Sequence, residues 1–473
     1  MLFNTVDFAF FFPLVLLLYW TIFKRSLQLQ NVFLVVVSYL FYSFWDWRFL
    51  SLIFLSSLVD YSIGLAMGKA EIPKTRKMLL IASLVFNLGL LFTFKYFNFF
   101  VTSFSETFAV FGTSFNMSSL DILLPVGISF YTFQTLSYTI DLYRKRIEPT
   151  KNVVSFFAFV SFFPQLVAGP IERASHLLPQ FKKPRVFNRE PTVDGLRLIL
   201  GGLFKKMVIA DNCALIANHI FENYQAESGS TLFFGAVFFA FQIYGDFSGY
   251  SDIAIGTSRL MGFDLMKNFN YPYLSQNLSD FWRRWHISLS TWFRDYVYIP
   301  LGGSRVSKTR LIVNVFIVFL VSGLWHGANW TFIFWGFIHG LFVIPVILFV
   351  KKDVTFPKGK KLPTFKELFN IFTTFLIVVI AWIFFRAETI TDAFLYIKTI
   401  ASPSLITMPN IPRSGILLLF LYMCFEWIQR HRGHILDITF IKSKLMRYAI
   451  YYVLVGIILL HAGDLQPFIY FQF

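Results

Sequence analysis

The stretch FLVSGLWHGANW, residues 319–330, decides how this chain folds. It carries an imidazole, His326, between two apolar runs, and Gly327, Ala328 and Asn329 follow at once. Arg305, Lys308 and Arg310 stand before the first run, and Lys351, Lys352 and Lys358 after the second. Cations at both ends of an apolar pair mark a return to the same side of a membrane. The pattern therefore predicts a helical hairpin with its turn at 327–329. A helix rising 1.5 Å per residue from Leu311 lifts His326 on the order of 20 Å, well inside a hydrocarbon core roughly 30 Å thick. A histidine at that depth has two readings. One is a hydrogen-bonded structural group. The other is an imidazole kept neutral by desolvation, able to act as a general base toward a hydroxyl.

The rest of the chain supports the membrane setting. Of its 473 residues, 56% are hydrophobic and only 14% charged, more apolar surface than a water-soluble fold buries. Apolar runs recur at about ten to twelve places, each near the roughly 20 residues that cross a bilayer as helix. Strands of a membrane barrel would alternate apolar and polar instead, so the expected class is an all-α polytopic membrane protein. The run FAFFFPLVLLLYWTIF, residues 8–23, lacks a preceding cation and a small-residue cleavage site, and reads as a retained first span. Cys213 and Cys424 have neither disulfide nor metal-ligand spacing and read as packing residues.

The net charge of +16 sits in short loops between spans, which argues against nucleic acid and for the positive-inside rule. Lys24 and Arg25, then Lys69, Lys74, Arg76 and Lys77, then Arg144, Lys145, Arg146 and Lys151 follow alternate spans. Both termini are thereby expected outside the cytoplasmic membrane. With no internal repeat or flexible linker, the chain reads as one membrane domain in three parts: N-terminal helices 1–152, a specialised core 153–350, and C-terminal helices with an aromatic tail, 351–473.

Polar residues single out that core. Gln242, Asp246 and Asp252 interrupt the apolar FQIYGDFSGYSDIAIG, residues 241–256, where polar groups must face a bundle interior or a wet cavity. Gln242 and Asp246 share a helix face, as do Ser248 and Asp252. With Asn329 they are cavity-lining candidates; interhelical hydrogen bonding is the competing reading. The segment 268–305 is dense in Trp, Tyr and Arg. By itself it suggests an amphipathic interfacial helix containing Trp282, Arg283, Arg284, Trp285 and His286. No H-E-x-x-H set or nucleophile elbow points to a metal or a serine triad.

DFWRRWHISLSTWFRDYVYIPLGGSR (280–305) followed by GLWHGANWTFIFWGFIHG (323–340) resembles the membrane-bound O-acyltransferase (MBOAT) family, in its bacterial alginate O-acetyltransferase branch. The likeness extends through GISFYTFQTLSYTIDLYR, FFPQLVAGPIER and YGDFSGYSDIAIG. It implies a helical bundle around a central funnel, with His326 as the catalytic histidine and His286 as the second. It also implies an acyl thioester, acetyl-CoA or an acyl carrier protein, arriving from the cytoplasm, with no permanently bound cofactor or metal. Arg283, Arg284, Arg294 and Arg305 become donor-binding candidates, since guanidinium groups attract phosphates and acidic surfaces.

The tail GDLQPFIYFQF, residues 463–473, reads alone as an aromatic anchor at the membrane interface. Tyr470 lies nine residues past His461, close enough to reach back up to ~30 Å. The resemblance makes it a candidate acyl relay, unloaded outside by a separate serine esterase-like transferase onto a cell-envelope or secreted polysaccharide. An alginate-like exopolysaccharide is favoured, with peptidoglycan or teichoic acid as alternatives. A transporter would show paired repeats and broken helices. By analogy with known families, a lipid-linked glycosyltransferase would carry acidic residues in an early outer loop, which offers only Asp46.

Overall fold

The computed structural model describes residues 1–112, 119–121, 123–166, 169–350, 362–461 and 466–469. Among these residues all regular structure is helical, as the uninterrupted apolar runs require. Among the described residues, seven segments are long and apolar enough to cross a membrane. Two of them, Leu27–Lys69 and Pro73–Val110, hold two helices each. The remaining apolar runs form helices shorter than the roughly 20 residues of an untilted span. The cations Lys351, Lys352 and Lys358 lie outside the described residues.

The chain forms two compact units, residues 1–192 with 257–266, and residues 193–256 with 267–473. The first unit holds α1 (Val6–Thr21), α2 (Leu27–Asp46), α3 (Leu50–Lys69), α4 (Pro73–Leu91), α5 (Phe97–Val110), α6 (Ile128–Tyr143), α7 (Val153–Ser161) and the short α8 (Phe163–Leu166) and α9 (Ala174–Leu177). Side chains such as Phe10, 76% exposed, point outward from it and need lipid. Inside, α3, α4 and α6 meet through polar groups. Ser83 and Asn87 donate to Asp60 at 2.6 and 2.8 Å, and Ser56 and Thr135 donate to the Asn87 carbonyl at 3.0 and 3.3 Å. Such bonds hold helices together where lipid removes the hydrophobic drive to associate. Arg76 donates to the Met67 and Leu142 carbonyls, both at 2.6 Å. It thus satisfies orphan acceptors at the C-terminal ends of α3 and α6 and complements their dipoles.

The second unit begins in α10 (Arg189–Leu203), which runs through a π-turn, Phe204–Ala210, into α11 (Asp211–Glu222). Then come α12 (Gly229–Leu260), α13 (Leu278–Arg284), α14 (Ile287–Phe293), α15 (Lys308–His326), α16 (Trp330–Phe349), α17 (Phe365–Arg386), α18 (Ile390–Ile400), α19 (Arg413–Gln429) and α20 (Lys444–Leu460). Glycines let its helices touch backbone to backbone. A Cβ on Gly202 would stand 2.6 Å from the Gly249 carbonyl oxygen, and one on Gly249 2.7 Å from that of Gly202. Small residues at such crossings are the usual means of close approach in membranes. In the α15–α16 hairpin, Gly323 and Gly336 face the backbone carbonyls of Phe332 and Phe319 in the same way.

Candidate active site

Helix α15 starts at Ser307, whose hydroxyl accepts from the Arg310 N–H at 3.4 Å, and ends at His326. Gly327 leaves the helix in an extended conformation, and Asn329 opens α16 by accepting from the Thr331 N–H at 3.0 Å. The turn therefore falls at 327–329, with His326 on its inner shoulder. Asn329 also donates to the Glu388 carbonyl at 3.0 Å. These bonds cap and tie the hairpin.

His326 is 3% exposed. Its ring lies among those of Trp325 (4.9 Å between centroids), Trp335 (5.1 Å), Phe385 (5.4 Å) and His286 (6.3 Å). Two imidazoles forty residues apart in sequence thus stand 6.3 Å apart in space. The walls are aromatic, which excludes water and strengthens any electrostatic interaction inside.

His286 reaches this place through a strained turn. It joins α13 to α14 at φ +43°, a left-handed conformation uncommon for a side chain with a Cβ. Such strain persists where surroundings enforce it, often at functional sites. The enforcer is Asn268. Its backbone carbonyl accepts from the Ile287 N–H at 2.9 Å. Its side-chain carbonyl accepts from the Ser288 N–H at 3.3 Å and hydroxyl at 2.9 Å, and its amide donates to Ser251 at 3.1 Å. Trp285 and His286 are both fully buried, so this segment is no interfacial helix. Its aromatics pack into the second unit: Trp285 lies 5.1 Å from Trp382, and Phe247 4.6 Å from His286. Burial pushes the His286 imidazole down to about 3, leaving it neutral near pH 7.

A third histidine joins the cluster. His339, one turn beyond Trp335 on α16, is fully buried 4.8 Å from that ring and accepts from the Trp282 indole N–H at 3.3 Å. The helical spacing of Trp335 and His339 in FIFWGFIHG was its only signal in the sequence.

The polar residues of α12 separate by role. Asp246 pairs with Lys206 at 2.9 Å and Asp252 with Lys205 at 2.8 Å; Lys206 also pairs with Asp211 at 2.8 Å. Gln242 is buried one turn before Asp246, and its side-chain carbonyl has no hydrogen-bond partner among the described residues. These lysines carried no functional signal in the sequence, because two cations in an apolar helix pass for an interfacial pair. The described part of the tail is bound at the same network: Ile469 N–H donates to Asp246 at 2.7 Å and Lys206 to the Gln466 carbonyl at 3.1 Å. Phe468 packs on Tyr250 at 4.4 Å, and Phe468 and Ile469 are buried. Phe468 and Ile469 are thus packed in the core, whereas Pro467 is exposed. Tyr470 lies outside the described residues.

The four arginines also divide. Arg283, Arg294 and Arg305 are exposed, whereas Arg284 is partly buried and bonded to Asp280 at 2.8 Å. Arg294 bonds its neighbour Asp295 at 2.8 Å. Cys213 is buried and Cys424 exposed, both as free thiols. The packing reading thus fits Cys213, whereas Cys424 faces outward.

The membrane-bound O-acyltransferase family model matches residues 39–386. The chain is 42% identical over 398 residues to a probable alginate O-acetylase AlgI of Pseudomonas aeruginosa, covering 83% of this chain and 73% of that protein. A probable alginate O-acetylase AlgI of Azotobacter vinelandii is 41% identical, with coverages of 83% and 76%. A peptidoglycan O-acetyltransferase of Helicobacter pylori is 36% identical over 427 residues, with coverages of 84% and 79%. With the buried histidine pair of an all-helical membrane fold on one side and these matches on the other, the chain belongs to the membrane-bound O-acyltransferase family and is an acyltransferase of a bacterial membrane.

Proposed function

We propose that this O-acetyltransferase moves acetyl groups across the cytoplasmic membrane for O-acetylation of an exported polysaccharide, an alginate-like exopolysaccharide before others. One observation carries the reading: His326 and His286 lie 6.3 Å apart in an aromatic, water-excluding core. There His326 takes the proton of an acceptor hydroxyl as its oxygen attacks the thioester carbonyl, and the thiol leaves with a proton. His286 orients the donor. The donor is acetyl-CoA or an acetylated carrier protein, attracted on the cytoplasmic side by Arg283, Arg294 and Arg305; Arg284, tied to Asp280, shapes that surface. The 153–350 core does this work within a single membrane domain, with both termini outside.

In this reading Tyr470 is the first acceptor. Its ester is collected outside by a serine esterase-like transferase, which sets the polymer. The bilayer is the other obligate partner. A second polymer class has its own support in the resemblance to a peptidoglycan O-acetyltransferase over 84% of the chain; teichoic acid stands behind it.

The test is complementation of a strain lacking the gene, with acetyl measured on isolated exopolysaccharide, peptidoglycan and teichoic acid. Acetyl restored on the exopolysaccharide upholds the reading, and acetyl restored on the wall alone moves the substrate there. Tyr470→Phe keeps the ring and removes the ester-bearing oxygen, so acetylation should collapse at unchanged protein level. Full acetylation with Phe at 470 would send the acceptor directly to His326. An impermeant thiol reagent reacting with a cysteine beside Tyr470 on intact cells would support the orientation, and reaction only after the membrane is opened would invert it.

A further inference from the structure

A buried lysine needs acceptors, and Lys206, 1% exposed, has three: Asp211 at 2.8 Å, Asp246 at 2.9 Å and the Gln466 carbonyl at 3.1 Å. Two of these acceptors are carboxylates at ion-pair distance and the third is a carbonyl that takes a hydrogen bond, so the tail supplies one of the three. Asp246 is divided in the same manner. One oxygen meets Lys206, and the other accepts from the Ile469 N–H at 2.7 Å. An ion pair serving only to join α12 to the turn before α11 would close on itself. This one is completed by backbone groups of a segment 223 residues away.

The local structure is built for it. The π-turn Phe204–Ala210 carries Lys205 and Lys206, and such bulges recur at functional sites. Gly245 and Gly249 on α12 allow the approach, since a Cβ on either would lie 3.0 Å from the Lys205 carbonyl or 3.1 Å from the Lys206 nitrogen. Phe468 then fills the space beside Tyr250 and Phe247, at 4.4 and 6.3 Å, and Phe247 touches His286 at 4.6 Å.

We propose that Lys206 and Asp246 form a clamp that seats the C-terminal tail by its backbone, fixing the residue immediately before Tyr470 within the core that holds the two histidines. They are positioning residues: they hold the carrier segment and take no part in bond making. Recognition through main-chain groups tolerates varied side chains at 466 and 469 but requires the 469 N–H. The use of the seat rests on the relay assigned to Tyr470; the seat itself does not.

The test is hydrogen exchange of the full-length protein in detergent, followed in the C-terminal peptide, with acetylation measured in cells. Ile469→Pro deletes the clamped N–H without touching α10–α12. The remaining tail amides should exchange about tenfold faster, the scale expected when a hydrogen bond to a charged group is lost, while peptides from α10–α12 keep parental protection. Ile469→Ala, which retains the N–H, should loosen the tail less, and Asp246→Asn should loosen it as Ile469→Pro does. Parental exchange in both Ile469→Pro and Asp246→Asn overturns the clamp. Faster exchange with acetylation lost supports clamp and relay together. Faster exchange with acetylation intact upholds the clamp and removes the relay.

Discussion

Asp60 in the first unit and His326 in the second are both ionisable, both almost solvent-free at 0% and 3% exposed, and both on segments that can cross a bilayer. Their surroundings differ in kind. Asp60 is met by a hydroxyl at 2.6 Å and an amide at 2.8 Å, in a cluster whose members bond one another across three helices. His326 is met by aromatic rings between 4.9 and 5.4 Å away and by a second imidazole. The first arrangement uses its polar capacity to join helices. The second surrounds its imidazole with aromatic faces. Burial of a titratable residue in a membrane therefore marks function only when its neighbours are considered with it.

The comparison breaks first at His326. His326→Ala should lower acetylation by about 10²–10⁴-fold, the usual contribution of a positioned general base, with the protein still at normal level in the membrane. Acetyl content of the polymer beside an immunoblot measures both, and a large loss of protein would put His326 in the same class as Asp60. His286→Ala comes next, with a fall on the order of 10²-fold if the ring supports the reacting group. Donor turnover by the purified enzyme is the measurement, and parental turnover would make His286 a packing residue.

Asn268→Ala tests whether the turn, rather than the imidazole, needs support. Losing its bonds to Ser288 and Ser251 should cut activity about tenfold, in keeping with roughly 1–1.5 kcal/mol per hydrogen bond. The smallest effect on chemistry belongs to Asp60→Asn. An amide there sets a donor against Ser83 or Asn87 and should cost about 1–3 kcal/mol of stability, seen as earlier melting in detergent, while activity per folded molecule stays parental.

The hairpin was legible because everything that defines it is local. Cations bracket it, Ser307 and Asn329 are hydrogen-bonding caps, and Gly327 ends the helix at His326. The depth expected for His326 rests on helical rise together with the cations that mark the start of α15. The interfacial reading of 282–286 failed for the complementary reason. Aromatic and cationic composition suits a membrane surface and a packed core equally, and only the packing of Trp285 against Trp382 separates them. His339 and Asn268 escaped notice because the helical spacing of His339 from Trp335 is common in apolar helices and one asparagine in a loop has no periodic signature.

The sequence by itself determined that this is an all-helical membrane acyltransferase, where its chain turns, and which two histidines carry the family's motifs. The fold class and the turns reside in apolar run length and capping residues, each confined to a few tens of residues, whereas the activity and the two histidines come from resemblance to the family's motifs. The tertiary structure alone decided that His286 and His326 lie 6.3 Å apart, that Lys206 meets two carboxylates and a tail carbonyl, and that the Ile469 N–H donates to Asp246. Apart from Lys206–Asp211, these contacts join residues 40 to 260 positions apart. Backbone approach at glycines such as Gly202 and Gly249 sets which helix faces meet, and a buried charge must find its partners in whatever that packing brings near it.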